Sequence, residues 1–427
     1  MNLAKKIKFH LPSHTYHILK LIGEEADALN YKAFCVGGFV RDLFLNVKNF
    51  DIDIAVEKDA IHFGRILSRR LKGILVVHKK FGTATIIFSG KDKNKIKIDI
   101  ATARTERYQH PAALPEVKFA SIKHDLYRRD FTVNAMAISI NKRSFGSLID
   151  FFGGLKDLRS RRIKTLHDLS FIDDPTRIFR AVRFEQRYNF KIEPHTEKLI
   201  KTAISLDMFG RTQNQRIRNE IILILSENEP IKALCRMNQL HELRFIDREL
   251  KLNKHTMELF KAIRQVQRWY NLYFSKQRAV EGWVIYFMAV IDVLSLRQIK
   301  LICEKFVFKK SDEKRILSGK MATKKISRLL DKKVKICPSI IYKHLQPLSY
   351  EVILFIAASA KTKKAKNRLH LFFSRYNNIK LSITGKDLKE IGLAPGPRYK
   401  KILNRILYAK LDGKIKTKKE EMELAKK

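Results

Sequence analysis

Residues 36–56, VGGFVRDLFLNVKNFDIDIAV, decide how this chain is read. A double glycine leads through a mixed segment to Asp51-Ile52-Asp53, inside a run that otherwise suits a buried strand. Side chains alternate along a strand, so Asp51 and Asp53 share one face while Ile52 and Ile54 share the other. Two carboxylates that close repel each other unless a cation sits between them. The strand therefore reads as a metal holder. Hard oxygen ligands suit magnesium, which keeps waters and completes its shell with substrate phosphates. Just upstream, Gly37-Gly38 lets backbone N–H groups approach an anion, and Arg41 offers a charged fork for phosphate oxygens. Asp99, in KIKIDIATAR, lies on another predicted strand as a third candidate acid. The plain alternative is an ordinary turn, a surface Arg41-Asp42 pair and the wet face of an edge strand.

The whole chain agrees with a phosphate-rich partner. Its 427 residues, 45% hydrophobic, are enough for two to four domains. Lys and Arg total 87 against 43 Asp and Glu, a formal charge of +44. That excess points to a polyanion, and with this length to nucleic acid, although a lysine-rich proteome would also raise it. The longest clean apolar run, residues 282–291, falls well short of the roughly 20 residues a membrane span needs. The start, MNLAKKIKFHLPSH, lacks the apolar core of a signal peptide. Cys35, Cys235, Cys303 and Cys337 show neither paired spacing nor a CxxC, which speaks against a disulfide frame or zinc site and for the cytoplasm.

Short β-rich runs interrupted by helical stretches from Tyr31 to Ile149 indicate one domain around a small sheet. After Asp150 the strand signals nearly vanish and amphipathic helical patterns dominate, giving an α+β chain. Periodicity lapses at 226–230, 309–314 and 361–368, the candidate joints. There is no internal repeat and no Gly/Ser linker.

Four motifs then occur in order: GGFVRD, DID, RRDFTVNAMA (128–137) and DDPTRIFRAVRF (173–184). In order and spacing they resemble the class II tRNA nucleotidyltransferase and bacterial poly(A) polymerase family, over about residues 31–225. The resemblance implies a polymerase-β-type nucleotidyltransferase head on a small mixed sheet, followed by an elongated all-helical neck, body and tail. The implied division is a leader helix region at 1–25, head at 26–160, neck at 161–230, body at 231–360 and a basic RNA-binding tail at 361–427. It further implies that Asp51 and Asp53 bind two magnesium ions (Mg2+), that Gly37, Gly38 and Arg41 hold the triphosphate, and that Arg129 contacts the nucleotide and Asp130 its ribose. Read without the family, RRDFTVNA is a helix N-terminus with Asp130 as cap and Phe131, Val133 and Met136 in the core.

DDPTRIFRAVRFEQRY has the grammar of a helix start, with an Asp cap and Pro175 in the first turn. Arg177, Arg180 and Phe184 fall on one face. By the resemblance, Asp174 accepts from the exocyclic amine of cytosine or adenine, Arg177 donates to the base ring and Arg180 lies by the nucleotide. Only C and A carry that amine. The family's usual Glu-Asp opening is Asp173-Asp174 here. QRIRNEIILIL (215–225) resembles a motif that braces the neck through Arg216 and Glu220. ITGKDLKEIGLAPGPRYKKIL resembles a tail segment, with a tight turn at Gly392, Pro395, Gly396 and Pro397.

The expectation is a template-independent enzyme that adds CCA, or only the terminal A, to the tRNA 3′ end. It would use ATP and, for CCA, CTP, while its helical half holds the acceptor arm. ARTERYQHPAALPEVKF (103–119) lies where the family has a loop linked to the switch from C to A, which argues against a CC-only enzyme. SFIDDPTRIFRAVRFEQR looks most like A-adding members. The rivals are a poly(A) polymerase with the same site and a non-enzymatic RNA-binding protein. No phosphohydrolase histidine pattern accompanies His124-Asp125 or His167-Asp168. Oligomeric state is not legible.

Overall fold

The computed structural model describes residues 1–47, 51–89, 95–107, 116–332 and 334–427. They divide into two compact units, Met1–Glu220 with Gln239–Glu242, and Ile221–Asn238 with Leu243–Lys427. The middle of the segment 103–119 lies outside the described residues.

In the first unit, α1 (Ala4–His10) and α2 (Ser13–Ala28) precede a mixed sheet. Its strands are β1 (Ala33–Val36), β2 (Ile52–Val56), β3 (Ile74–His78), β4 (Thr83–Ser89) and β5 (Lys95–Thr102). A two-stranded ribbon of β6 (Arg104–Arg107) and β7 (Glu116–Phe119) intervenes before β8 (Ala137–Ser139) and β9 (Leu148–Ile149). The sheet order is β3-β4-β5-β2-β1-β8-β9. Among the described residues of this sheet, β2 and β5 pair in parallel, with Asp53 opposite Asp99, and the other neighbours are antiparallel. Period-two burial follows the sequence pattern. Ala84, Ile86 and Phe88 of β4 and Ile52 and Ile54 of β2 are buried, and Asp53 between them is only half-buried.

Three helices attach to this sheet, α3 (Gly38–Leu45), α4 (Ala60–Arg70) and α5 (Ile122–Tyr127). Gly37 turns the chain into α3 at φ +65°, a conformation that favours glycine. Asp59 starts α4 by accepting from the N–H groups of Ile61 at 2.8 Å and His62 at 3.1 Å.

RRDFTVNA departs from the helix start read in the sequence. It makes a single 3₁₀ turn, Thr132–Asn134, before entering β8. Asp130 instead accepts from the Phe131 N–H and the Asn134 amide, both at 2.9 Å. The strand pairing that begins at Ala137 leaves no room for a second helical turn. Phe131, Val133 and Met136 are nonetheless fully buried, as their apolar character demands.

Beyond β9 the first unit is mainly helical: α6 (Gly154–Arg159), α7 (Ser170–Asp173), α8 (Thr176–Tyr188), α9 (Pro194–Ser205) and the start of α10 (Asn214–Leu225). On α8, Ile178, Phe179, Ala181 and Val182 are fully buried. The arginines at 177, 180 and 183 thereby take the remaining face.

Within its described residues the second unit contains α-helices and short 3₁₀ turns. Its helices are α11 (Pro230–Gln239), α12 (Lys254–Phe274), α13 (Gly282–Val290), α14 (Leu296–Lys305), α15 (Lys310–Asp331), α16 (Pro338–Leu345), α17 (Tyr350–Ser359), α18 (Lys363–Ser374), α19 (Gly385–Glu390), α20 (Pro397–Leu411) and α21 (Lys418–Lys426). The apolar run at 282–291 is α13 with its cap, buried from Trp283 through Ile291. No helix among the described residues is long and apolar enough to cross a membrane. The turn between α19 and α20 uses Gly392 at φ +85°, and the Tyr399 hydroxyl donates to the Leu393 carbonyl at 2.7 Å.

Candidate active site

A cleft of about 700 Å³ opens in the first unit, within the roughly 300–1,000 Å³ of small-molecule sites. Nine arginines line it against five carboxylates, so its walls attract an anion. Of the residues expected from the sequence, Gly37, Gly38, Arg41, Asp51, Asp53, Arg129, Asp130, Asp174, Arg177 and Arg180 all border it. Asp99 does not border it, although β2 and β5 set it beside Asp53.

The acidic wall comes from β2 and its start. Asp51 precedes the strand and is exposed, and Asp53 is half-buried. Burial, countered by Arg129 and reinforced by the charges of Asp99 and Asp51, holds the Asp53 carboxyl above its usual range. Asp99 accepts from Thr85 Oγ1 at 2.6 Å and from Lys97 Nζ at 2.5 Å. No cluster of three or more His, Cys, Asp or Glu side chains placed to hold a metal occurs among the described residues. Asp51 and Asp53, two carboxylates two residues apart beside an anion-attracting cleft, still fit a magnesium ion. Such an ion draws most of its shell from water and phosphate oxygens.

The opposite wall is built on Arg41, Arg129 and Asp130. Arg41 is buried, not a surface residue. Its Nε and Nη2 donate to Asp42 Oδ1 at 2.8 Å and its Nη1 to Asn134 Oδ1 at 2.6 Å. Its guanidinium also lies 4.6 Å from the Tyr188 ring centroid and 5.3 Å from that of Phe184. These contacts hold it rigidly at the cleft edge. Arg129 is anchored at one corner only, by Nη2 to Asp125 at 3.1 Å, while its buried Nε has no hydrogen-bond partner. That orphan donor suits an incoming anion. Any side chain at Gly37 would collide with the same guanidinium.

Asp130 accepts from Arg180 Nε at 2.8 Å and Nη2 at 2.6 Å, in addition to Phe131 and Asn134. Burial alone would raise its carboxyl; Arg180, Asn134 and Arg177 outweigh it and bring the value down to about 2. Arg180 in turn is raised against its own burial by Asp130 and Glu220.

Asp174 and Arg177 stand at the start of α8. Asp174 Oδ1 accepts from the Thr176 N–H at 3.1 Å and hydroxyl at 2.6 Å, the capping expected of it. Its Oδ2 accepts from Arg216 of α10 at 2.6 Å. Arg177 donates from Nη1 to Ser170 Oγ and from Nη2 to the Arg128 carbonyl, both at 2.7 Å. Glu220, one turn beyond Arg216, lies 3.5 Å from Arg180 and 3.3 Å from Arg183.

Sequence reasoning missed Arg104, Arg128, Arg183 and Arg187 as cleft residues. The last two continue the helical stripe of Arg180 at steps of three and four, a signal that was available. Arg104 and Arg128 meet through Glu106, at 3.0 and 2.8 Å, a contact made by folding the ribbon against α5 and invisible in the linear motif.

Known proteins resemble this chain over most of its length. A family profile described as the poly A polymerase head domain matches residues 33–164. The A-adding tRNA nucleotidyltransferase of Geobacter sulfurreducens is 39% identical over 97% of this chain and 47% of its own length. The chain thus spans about half of that relative. The A-adding tRNA nucleotidyltransferase of Halalkalibacterium halodurans is 30% identical over 100% of this chain and 95% of its own. The Thermotoga maritima CCA-adding enzyme, solved in complex with tRNA, superimposes with a TM-score of 0.76 at 33% identity, covering 100% of this chain and 98% of that one.

Proposed function

The chain belongs to the family of A-adding tRNA nucleotidyltransferases and CCA-adding enzymes, and from that premise we propose that it extends the 3′ end of tRNA without a nucleic-acid template. The product is CCA or its terminal A alone; terminal A is favoured by two A-adding relatives that match nearly the whole chain. The observation that carries the reading is the cleft itself, with Asp51 and Asp53 on one wall and nine arginines around it.

In this reading the triphosphate of ATP, or of CTP, lies among the arginines, and the orphan Nε of Arg129 turns to it. Gly37 and Gly38 leave space for the phosphates, Arg41 stiffens that edge, and Asp130 with Arg180 meets the ribose. Asp174 and Arg177 read the base edge, rewarding an exocyclic amine and rejecting a carbonyl. Asp51 and Asp53, with Asp99 beside them, would hold two Mg2+ ions. When bound, these supply charge neutralisation of the triphosphate and acidification of the RNA 3′-OH. The RNA hydroxyl attacks the α-phosphate, and pyrophosphate leaves.

We assign residues 26–160 to the head, 161–230 to the neck, 231–360 to the body and 361–427 to the tail. The basic helical surface holds the tRNA acceptor arm, in the cytoplasm. The test offers tRNAs ending before CCA, after C and after CC, plus an A-rich oligomer, each with CTP, ATP or both. An A-adding enzyme labels only the CC-ending tRNA, and only from ATP. Long A tracts regardless of RNA shape would make it a poly(A) polymerase, and no transfer at all would leave an RNA-binding protein.

A further inference from the structure

Four rings form a continuous shelf in the first unit. Phe151 and Phe152 lie 6.2 Å apart between centroids, Phe152 and Tyr127 5.7 Å, and Tyr127 and His167 5.4 Å. They come from three separate segments: Tyr127 ends α5, the phenylalanines follow β9 and His167 precedes α7. Phe152 packs against the apolar cluster of Phe34, Val36 and Leu126. Yet Tyr127 is 47% and Phe151 50% exposed. A row of rings anchored at one member and open to solvent at others is more than core packing requires.

Two connections join the shelf to the arginine cleft. Tyr127 directly precedes Arg128, whose carbonyl accepts from Arg177. The His167 carbonyl accepts from the Ser170 N–H at 3.2 Å, and Ser170 Oγ accepts from Arg177. Lys123 Nζ lies 5.8 Å from the Phe151 ring centroid. Burial, then the charge of Arg177, holds the His167 imidazole below its usual value, so near neutral pH it presents an uncharged ring. Aromatic faces beside a cationic group, tied through the Arg128 and His167 carbonyls to Arg177 of a phosphate-attracting cleft, match the chemistry of single-stranded RNA. Bases stack on the rings while the backbone follows the positive charge.

We propose that Tyr127, His167 and Phe151 form a stacking platform for the unpaired bases at the RNA 3′ end, delivering the terminal hydroxyl to the cleft. This rests on the functional reading above. Stacking is tolerant of base identity because every base has a π-face. Such a platform therefore suits a primer recognised as single-stranded, with the choice of incoming nucleotide made elsewhere.

The test measures KM for a CC-ending tRNA and for ATP in the wild type, Tyr127→Ala, Tyr127→Phe and Phe151→Ala. Tyr127→Ala raises KM for the RNA roughly tenfold and leaves KM for ATP within about twofold. Phe151→Ala acts in the same direction, and Tyr127→Phe restores the wild-type value. On an RNA whose last two bases are replaced by abasic residues, the wild type and Tyr127→Ala become equal. An unchanged RNA KM in both alanine variants, or an equal loss on intact and abasic RNA, overturns the platform. If the wild type transfers no nucleotide, the functional reading fails and fluorescence anisotropy of the same labelled RNAs decides the platform. Weaker binding by Tyr127→Ala on intact RNA alone upholds it, and equal binding rejects it.

Discussion

Arg216 Nη2 donates to Asp174 Oδ2 at 2.6 Å, and the other oxygen of that carboxylate is held by Thr176. The carboxylate assigned to base reading is thus aimed from two helices. Asp174→Ala is expected to relax the rejection of UTP and GTP by about 1–3 kcal/mol, with only the ~1 kcal/mol stability loss of a helix cap. Arg216→Met should blur the same preference less, and the double variant should match Asp174→Ala, because both changes act through one group. Misincorporation on CC-ending tRNA, with melting measured alongside, checks this. Unchanged selectivity with a large melting drop would return the segment to a purely structural role.

Asp51→Asn and Asp53→Asn should each reduce nucleotide transfer to background while tRNA affinity stays within about twofold, since phosphate attraction comes from the basic surface. Filter binding and label transfer on the same preparations separate the two effects. Near-wild-type transfer in both variants would remove the metal-holding role.

Asp130 supplies a pH signature. Its folded value is depressed to about 2 from 3.8. The resulting stability is therefore present above the unfolded value and lost as pH falls through the folded one. Its size is about 2 kcal/mol, of which Arg180 is the main source among the charges. Asp130→Asn should lower the melting temperature at pH 7 and flatten the acid limb of the stability curve between about pH 4 and 2. Chemical denaturation at several pH values measures this, and an unaltered acid limb would contradict it.

Gly37→Ala combines a left-handed backbone at φ +65° with a collision against the Arg129 guanidinium. The expected cost is ~1 kcal/mol or more of stability, together with a raised KM for ATP as Arg129 is pushed from the cleft. Wild-type ATP kinetics in this variant would show that Arg129 does not meet the nucleotide.

What the sequence disclosed follows from how local each signal is. DID was readable in part, because strand alternation sets Asp53 apart from buried Ile52 and Ile54 while Asp51 falls just before the strand, and Gly37 because a sharp turn before a helix favours glycine. The order of four motifs identified the family before any geometry was known. Asp130 shows the limit: its neighbours look like a helix start, yet strand pairing at Ala137 reduces them to one 3₁₀ turn. Arg41 was legible as a charged fork, but not its partners: it bonds Asp42 beside it and Asn134, 93 residues further on, while still bordering the cleft. Partnerships of that reach depend on tertiary packing and leave no periodic trace.

Arg216 and Glu220 are successive teeth of one helix, and they grip different parts of the cleft: Asp174 on one side, Arg180 and Arg183 on the other. Because their signs are opposite, neither tooth can stand in for the other. Any slide or rotation of α10 would loosen the hold on Asp174 and on the Asp130–Arg180 pair together. With Asp174 in its proposed base-reading role, a change of nucleotide choice that moved α10 would therefore disturb both grips at once.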